Sequence, residues 1–250
     1  MNTVKIERKN TRMVAHQGCS GLEPGNSIPA FIAAGNRSYY GIETDVHVTA
    51  DGKFICFHDE QTGRLAGDDI NVETSSYNLV RKIVLDNICG EEQRTGVKIG
   101  ELKGRDDLLI PRLEDYINIC KKYEKIAVLE VKNRMQPEVL ARMVEEIKAL
   151  DYLHNVVFIS FSLENMIDLR KILPEQKLQF LTAKYDEEVL ATLKEYQFDW
   201  DVYCEVLTKE IIDEVHAAGI EINTWTVDDP EKAKELIEWG IDYITSNILE

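Results

Sequence analysis

A chain of 250 residues with 44% hydrophobic and 30% charged residues can bury a large core, as one barrel-sized domain or two small ones. Its formal net charge of −16 disfavours nucleic acid and anionic membrane surfaces as partners, since both reward clusters of lysine and arginine. The five cysteines (Cys19, Cys56, Cys89, Cys120 and Cys204) are scattered and lack Cys-x-x-Cys spacing, so they read as buried thiols in a reducing compartment. The N-terminal run Met1 to Lys9 lacks the apolar core of a signal peptide, and no later run is long enough to span a bilayer. These features imply a cytoplasmic protein without stable membrane association, and they leave the oligomeric state open.

Taken in order, the first apolar run is Met13-Val14-Ala15, which ends at His16 and breaks into Gln17-Gly18-Cys19-Ser20-Gly21. The spacing of Ile28, Phe31, Ile32 and Gly35 predicts a helix from about Ser27 to Asn36. The stretch Gly41 to Asp59 follows. It opens as a strand, turns at Asp51-Gly52, and returns through Lys53 to Phe57 to end in His58-Asp59. From Glu60 to about Ile110 the pattern weakens and short apolar pieces such as Leu79 to Ile88 alternate with charges; this segment is read as an inserted lid over the site.

Order returns at Pro111. A helical stripe of Leu113, Tyr116, Ile117 and Cys120 leads to a buried strand, Ile126 to Lys132, and then an amphipathic helix from Val139 to Leu150. Strands at Val156–Phe161, Leu178–Thr182, Asp201–Cys204, Ile220–Thr226 and Ile241–Thr245 alternate with helices at Leu163–Ile172, Glu187–Tyr196 and Thr208–Ala218. A further helix starts at Asp229-Pro230 and stops at Gly240. Short, nearly continuous apolar strands separated by helices argue for a parallel sheet covered on its outer face. Eight of them favour an α/β fold of the (β/α)8 TIM-barrel type, one domain over residues 1–250 with an insertion at about 60–110 and no full helix after the last strand.

In such a barrel the working groups lie at the C-terminal ends of the strands. Glu43 and Asp45 are two residues apart on one strand and face the same way, as do Glu130 and Lys132 on another. Adjacent carboxylates repel unless a cation lies between them, and an all-carboxylate set suits Mg2+ or Ca2+. His16 and His58 supply two imidazoles for acid–base work, and Lys132 supplies an ammonium to neutralise a phosphate. The inventory fits metal-assisted cleavage of a phosphate ester. His47 shares the phase of Asp45 but lies beyond it and is expected to be exposed. His154 and His216, in loop and helix contexts, are read as surface residues.

The ordered set His16-x-Gly18, Pro24-x-Asn26-Ser27, Glu43-x-Asp45-Val46, Thr49-x-Asp51-Gly52, His58-Asp59, Pro111-x-Leu113-Glu114, Glu130-x-Lys132 and Trp225-Thr226-Val227 resembles that of the glycerophosphodiester phosphodiesterases, from about Met13 to Asn247. The resemblance implies a TIM barrel that hydrolyses glycerophosphodiesters to glycerol 3-phosphate and an alcohol, in lipid and glycerol metabolism. It implies one divalent cation on Glu43, Asp45 and Glu130, acid–base work by His16 and His58, phosphate contact by Lys132, and a pocket wall for the alcohol at Trp225. Gln17 stands where the family usually carries Arg, and Gly25 where it usually carries Glu. A neutral amide cannot offer a phosphate the charged fork of an arginine, so a weaker hold on the diester, or a different diester, is expected with Gln17 at that position. The rival readings are a lysophospholipase D or sphingomyelinase D-like lyase with a lipid pocket, and a barrel that binds phosphoesters with weakened catalysis.

Overall fold

The computed structural model describes residues 2–66, 68–85 and 105–250. Nine strands lie among them: β1 (Arg12–Ala15), β2 (Gly41–Val48), β3 (Phe54–Cys56), β4 (Ile126–Val131), β5 (Val156–Ser160), β6 (Leu178–Thr182), β7 (Asp199–Tyr203), β8 (Ile222–Trp225) and β9 (Tyr243–Ser246). All but β3 run parallel, in the order β1-β9-β8-β7-β6-β5-β4-β2, and β1 also pairs with β2, which closes an eight-stranded barrel. The ninth strand, β3, adds antiparallel to the upper half of β2, with Val46 opposite Cys56.

The helices are α1 (Ile28–Gly35), α2 (Tyr77–Val80), α3 (Leu113–Tyr123), α4 (Pro137–Ala149), α5 (Leu163–Ile172), α6 (Glu187–Tyr196), α7 (Lys209–Ala217) and α8 (Pro230–Trp239). Their ends obey local chemistry. Ser27 caps α1 by accepting from the Ala30 N–H, and Asp229 caps α8 by accepting from Glu231, with Pro230 at the first helical position. Gly240 ends α8 with φ 93°, a left-handed conformation that glycine adopts without a Cβ penalty. The main core lies between barrel and helices: Ile42, Val46, Leu129 and Phe158 point outward from their strands onto Phe31, Tyr116, Leu140 and Met166. That outward set leaves the alternate residues of each strand to fill the barrel.

After β9 the described residues contain no helix. The last residues instead pair with the N-terminal segment, with Val4 N–H donating to Ile248 O (2.9 Å) and Ile6 N–H to Glu250 O (3.0 Å). The segment between β3 and α3 builds a second core of its own, with Leu65, Val72, Val80, Leu85 and Ile110 packed on Ile55 and Phe57 of the β3 hairpin. Residues 86–104 of that segment, and with them Cys89 and the end of the apolar piece Leu79 to Ile88, lie outside the described residues. The other four cysteines are buried free thiols.

Candidate active site

Along β2 the side chains of Glu43, Asp45 and His47 point into the barrel while Ile42, Thr44 and Val46 point out. The parallel register of β2 with β4 sets Asp45 beside Glu130. One ligand oxygen from each of Glu43, Asp45 and Glu130 falls within 4.8 Å of the others, and all three residues are buried. Lys132, the residue after β4, reaches Asp45 (3.2 Å) and Glu130 (3.0 Å). One ammonium thus faces three carboxylates. Burial and the neighbouring charges of Asp45 and Glu130 hold the Glu43 carboxyl well above its usual range, and burial with Asp45 does the same to Glu130. Burial would raise Asp45 too, but Lys132, His58 and the Asn26 amide outweigh it and lower it. A cluster in which two of three acids resist ionisation lacks positive charge, and hard oxygen donors this close together fit a divalent cation.

The loop after β1 holds the cluster from one side. Gln17 and Gly18 both take left-handed conformations (φ 52° and 77°). A Cβ on Gly18 would lie 2.6 Å from the Ala30 backbone, so only glycine lets the loop sit against α1. The turned backbone donates the Gln17 N–H to Glu43 Oε2 (2.8 Å), and the Gln17 amide donates to Asp45 Oδ2 (3.1 Å). Sequence reasoning expects Gln17 to touch phosphate; its side chain instead lies buried against Asp45. Asn26, which sequence reasoning does not assign to the site, donates to the same Asp45 oxygen (2.7 Å) and accepts from Thr44 Oγ1.

His16 and His58 border one cavity of about 160 Å³ with Glu43, Glu130, Lys132 and Trp225. They are held differently. His58 Nδ1 lies 2.5 Å from Asp59 Oδ1, and Arg64 clamps that carboxylate with two nitrogens (2.6 and 2.9 Å). His16 Nδ1 donates to the Asn247 amide oxygen (2.7 Å), and Asn247 is tied to Asp228. Its Nε2 points toward Glu43 Oε2 (4.0 Å), and the protein packed around the ring lowers its pKa. An amide partner fixes a tautomer; a carboxylate partner also stabilises an imidazolium when one forms. Asn247 and Asp228 lie far along the chain from His16, and no local pattern links them.

His47 corrects the expectation of exposure: it is 1% exposed. The segment after β3 covers it, with Glu73 Oε1 2.7 Å from Nδ1 and the His58 carbonyl 3.2 Å from Nε2. His154 is exposed, and His216 is half-buried, with its Nε2 2.8 Å from Asp242 Oδ2. The same covering segment lends Glu60, Gly63 and Asp69 to a second cleft of about 520 Å³ beside His58 and Lys132.

Trp225 lines the 160 Å³ cavity, flanked by Phe161 (ring centroids 5.6 Å apart) and Tyr203 (5.5 Å). Asp201 lines it as well, 2% exposed, with its carboxyl pushed well above the usual range by burial and by Glu130. Sequence reasoning misses Asp201. The signal was present, since Asp199 and Asp201 alternate along a strand as Glu43 and Asp45 do.

A closed parallel barrel with its ionisable groups gathered at the carboxyl ends of the strands defines a barrel enzyme. Residues 16–249 match the model of the glycerophosphoryl diester phosphodiesterase family, and the chain belongs to that family of phosphodiester-cleaving enzymes. It is similar to the glycerophosphodiester phosphodiesterase of Caldanaerobacter subterraneus subsp. tengcongensis, 25% identical over 240 residues that cover 95% of this chain and 94% of the relative. Among solved structures it superposes on a glycerophosphodiester phosphodiesterase from Parabacteroides distasonis with TM-score 0.77 and 25% identity, covering 96% of this chain and 94% of that one. It also superposes on an Oleispira antarctica phosphodiesterase in complex with the product sn-glycerol-3-phosphate, with TM-score 0.78 and 18% identity over 95% and 93% of the two chains. No helix among the described residues is long and apolar enough to cross a membrane.

Proposed function

We propose that this chain hydrolyses a glycerophosphodiester to glycerol 3-phosphate and an alcohol. One observation carries the reading: the oxygens of three buried carboxylates lie within 4.8 Å of one another, and two of them, Glu43 and Glu130, border one cavity with Lys132, His16 and His58. Glu43, Asp45 and Glu130 would hold one Mg2+ or Ca2+, which when bound would polarise a phosphoryl oxygen and offset charge developing on it. Lys132 supplies the fixed ammonium beside the phosphate. His16 and His58 form the acid–base pair, one taking the proton of the attacking oxygen and the other protonating the leaving alkoxide. Gln17 and Asn26 act through Asp45, holding its carboxylate in place rather than touching the diester. Trp225 forms the wall against which the organic part of the substrate packs. The segment between β3 and α3 serves as the cap of a single barrel domain, covering His47 and walling the cleft beside His58.

The test is direct. Purified protein is mixed with glycerophosphoglycerol or glycerophosphocholine and Mg2+ or Ca2+, and glycerol 3-phosphate is assayed. Release that disappears with EDTA and returns with the cation is expected. Activity that survives both EDTA and His58→Ala would overturn the mechanism.

A further inference from the structure

His47 points into the barrel beyond Asp45 yet has no part in the chemistry above. Its ring is buried and both nitrogens are engaged, Nδ1 at 2.7 Å from Glu73 Oε1 and Nε2 at 3.2 Å from the His58 carbonyl oxygen. A carbonyl oxygen only accepts, so Nε2 carries the proton of that bond. The His58 carbonyl needs such a partner. The β2–β3 ladder ends with Val46 opposite Cys56, and the main-chain bond that follows, Phe57 N–H to Asp45 O (3.0 Å), falls one residue short of His58. His58 is thus carried past the sheet on a backbone that the His47 ring holds.

Glu73 is held in its turn. Val72 packs in the second core and donates its N–H to the Glu60 carbonyl (2.9 Å), and the Ala50 N–H donates to Ser75 O (3.0 Å). Asn133, the residue after Lys132, donates to the same Glu73 oxygen that faces His47 (3.1 Å). One carboxylate oxygen therefore gathers a bond from behind His58 and another from beside Lys132. The His47 contact also draws the Glu73 carboxyl below its usual range, as suits an ionised acceptor.

We propose that His47 is a positioning residue that fixes the main chain at His58, and that Glu73, from the segment between β3 and α3, locks it there. The inference rests on the acid–base reading of His58. Asp59 sets how the His58 ring turns; His47 sets where the ring stands. A misplacement of about 1 Å can cost on the order of 10²-fold in rate, so the hold bears on kcat rather than on substrate binding.

The experiment compares His47→Leu, His47→Asn and His47→Gln. Glutamine extends an amide N–H as far as Nε2 and reaches the His58 carbonyl; asparagine stops at the depth of Nδ1, and leucine donates nothing. On glycerophosphoglycerol the Leu and Asn variants should lose about 10²-fold in kcat with KM and Mg2+ affinity within about threefold, and Gln should recover kcat to within about tenfold of the parent. Glu73→Ala, the second variant should His47→Leu not fold, should lose about tenfold. His47→Leu added to His58→Ala should cost nothing more, since residues acting through one group are not additive. Losses that multiply in the double variant, a Gln variant no better than Leu, or a kcat loss that follows a loss of the cation would each overturn the positioning role. A second readout needs no turnover. The ring proton on His58 Nδ1, assigned by its absence in His58→Ala, should give one sharp resonance in the parent and in His47→Gln and broaden in His47→Leu and Glu73→Ala. That pattern in a protein with no diesterase activity would keep the positioning role and remove the catalytic reading; a resonance equally sharp in every variant would remove the positioning role alone.

Discussion

The two ends of the barrel interior use the same residue types to opposite effect. At the N-terminal end Arg12 and Lys177 face Glu221 and Asp199, two cations for two anions. Arg12 pairs with Glu221 and lies 3.9 Å above the Tyr243 ring, while Lys177 pairs with Glu221, Asp199 (3.3 Å) and the Tyr243 hydroxyl (2.9 Å). At the C-terminal end, among the described residues, Lys132 is the one ammonium paired with the cluster of Glu43, Asp45 and Glu130, and Asp201 lines the cavity beside Glu43 and Glu130. The first arrangement is complete without a ligand and reads as structure. The second is short of positive charge, and that deficit describes what it binds.

The contrast can be broken at either end. The largest effect is expected at the histidines of the charge-poor end: His58→Ala and His16→Ala should each lower kcat by about 10³-fold with little change in melting temperature, since acid–base groups contribute on the order of 10²–10⁴. An effect below about tenfold at either would remove it from the proton-transfer pair. Next is Gln17→Leu, which strips a hydrogen bond from Asp45 and should weaken the cation about tenfold by titration calorimetry. At the balanced end, Glu221→Gln should leave kcat/KM unchanged and destabilise the fold by about 1–2 kcal/mol, the range for a partly exposed ion-pair network. Denaturant unfolding measures this, and a loss of activity at constant stability would contradict the division of roles.

The smallest effect concerns pH. Burial would raise Glu221, but Lys177 and Arg12 outweigh it and hold the carboxyl down at about 2, against an ordinary value of 4.5. A lowered folded value means the stabilisation is complete above about pH 4.5 and fades as pH falls toward 2. Melting temperature should therefore drop less steeply between those values in Glu221→Gln than in the parent.

How much of this was legible in the sequence differs between fold and site for one reason, the range of the interactions involved. Strands such as Val156–Ser160 and Leu178–Thr182 announce themselves because a sheet covered by helices needs continuous apolar runs. Glu43, Asp45, Glu130 and Lys132 are visible because polar residues interrupt such runs with period two. Asp201 interrupts a strand in the same way but sits in a weakly apolar segment, where an acid attracts no notice. The partners of His16 are invisible locally, since Asn247 is 231 residues away and is brought to it only by barrel closure. His47 was misread because its cover comes from Glu73, in a segment with no regular pattern.

The central claim is that the three-carboxylate cluster is built for a cation and is strained without one. Thermal unfolding of the parent and of Glu43→Gln, each with EDTA and with millimolar Mg2+ or Ca2+, tests it most directly. The parent should gain stability with the cation in a saturable way. The Glu43→Gln protein should melt higher than the parent in EDTA, because a repelled buried carboxylate is gone, and should gain little from the cation. A parent indifferent to both cations, or a variant that is destabilised in EDTA and still responds fully to the cation, would contradict the account.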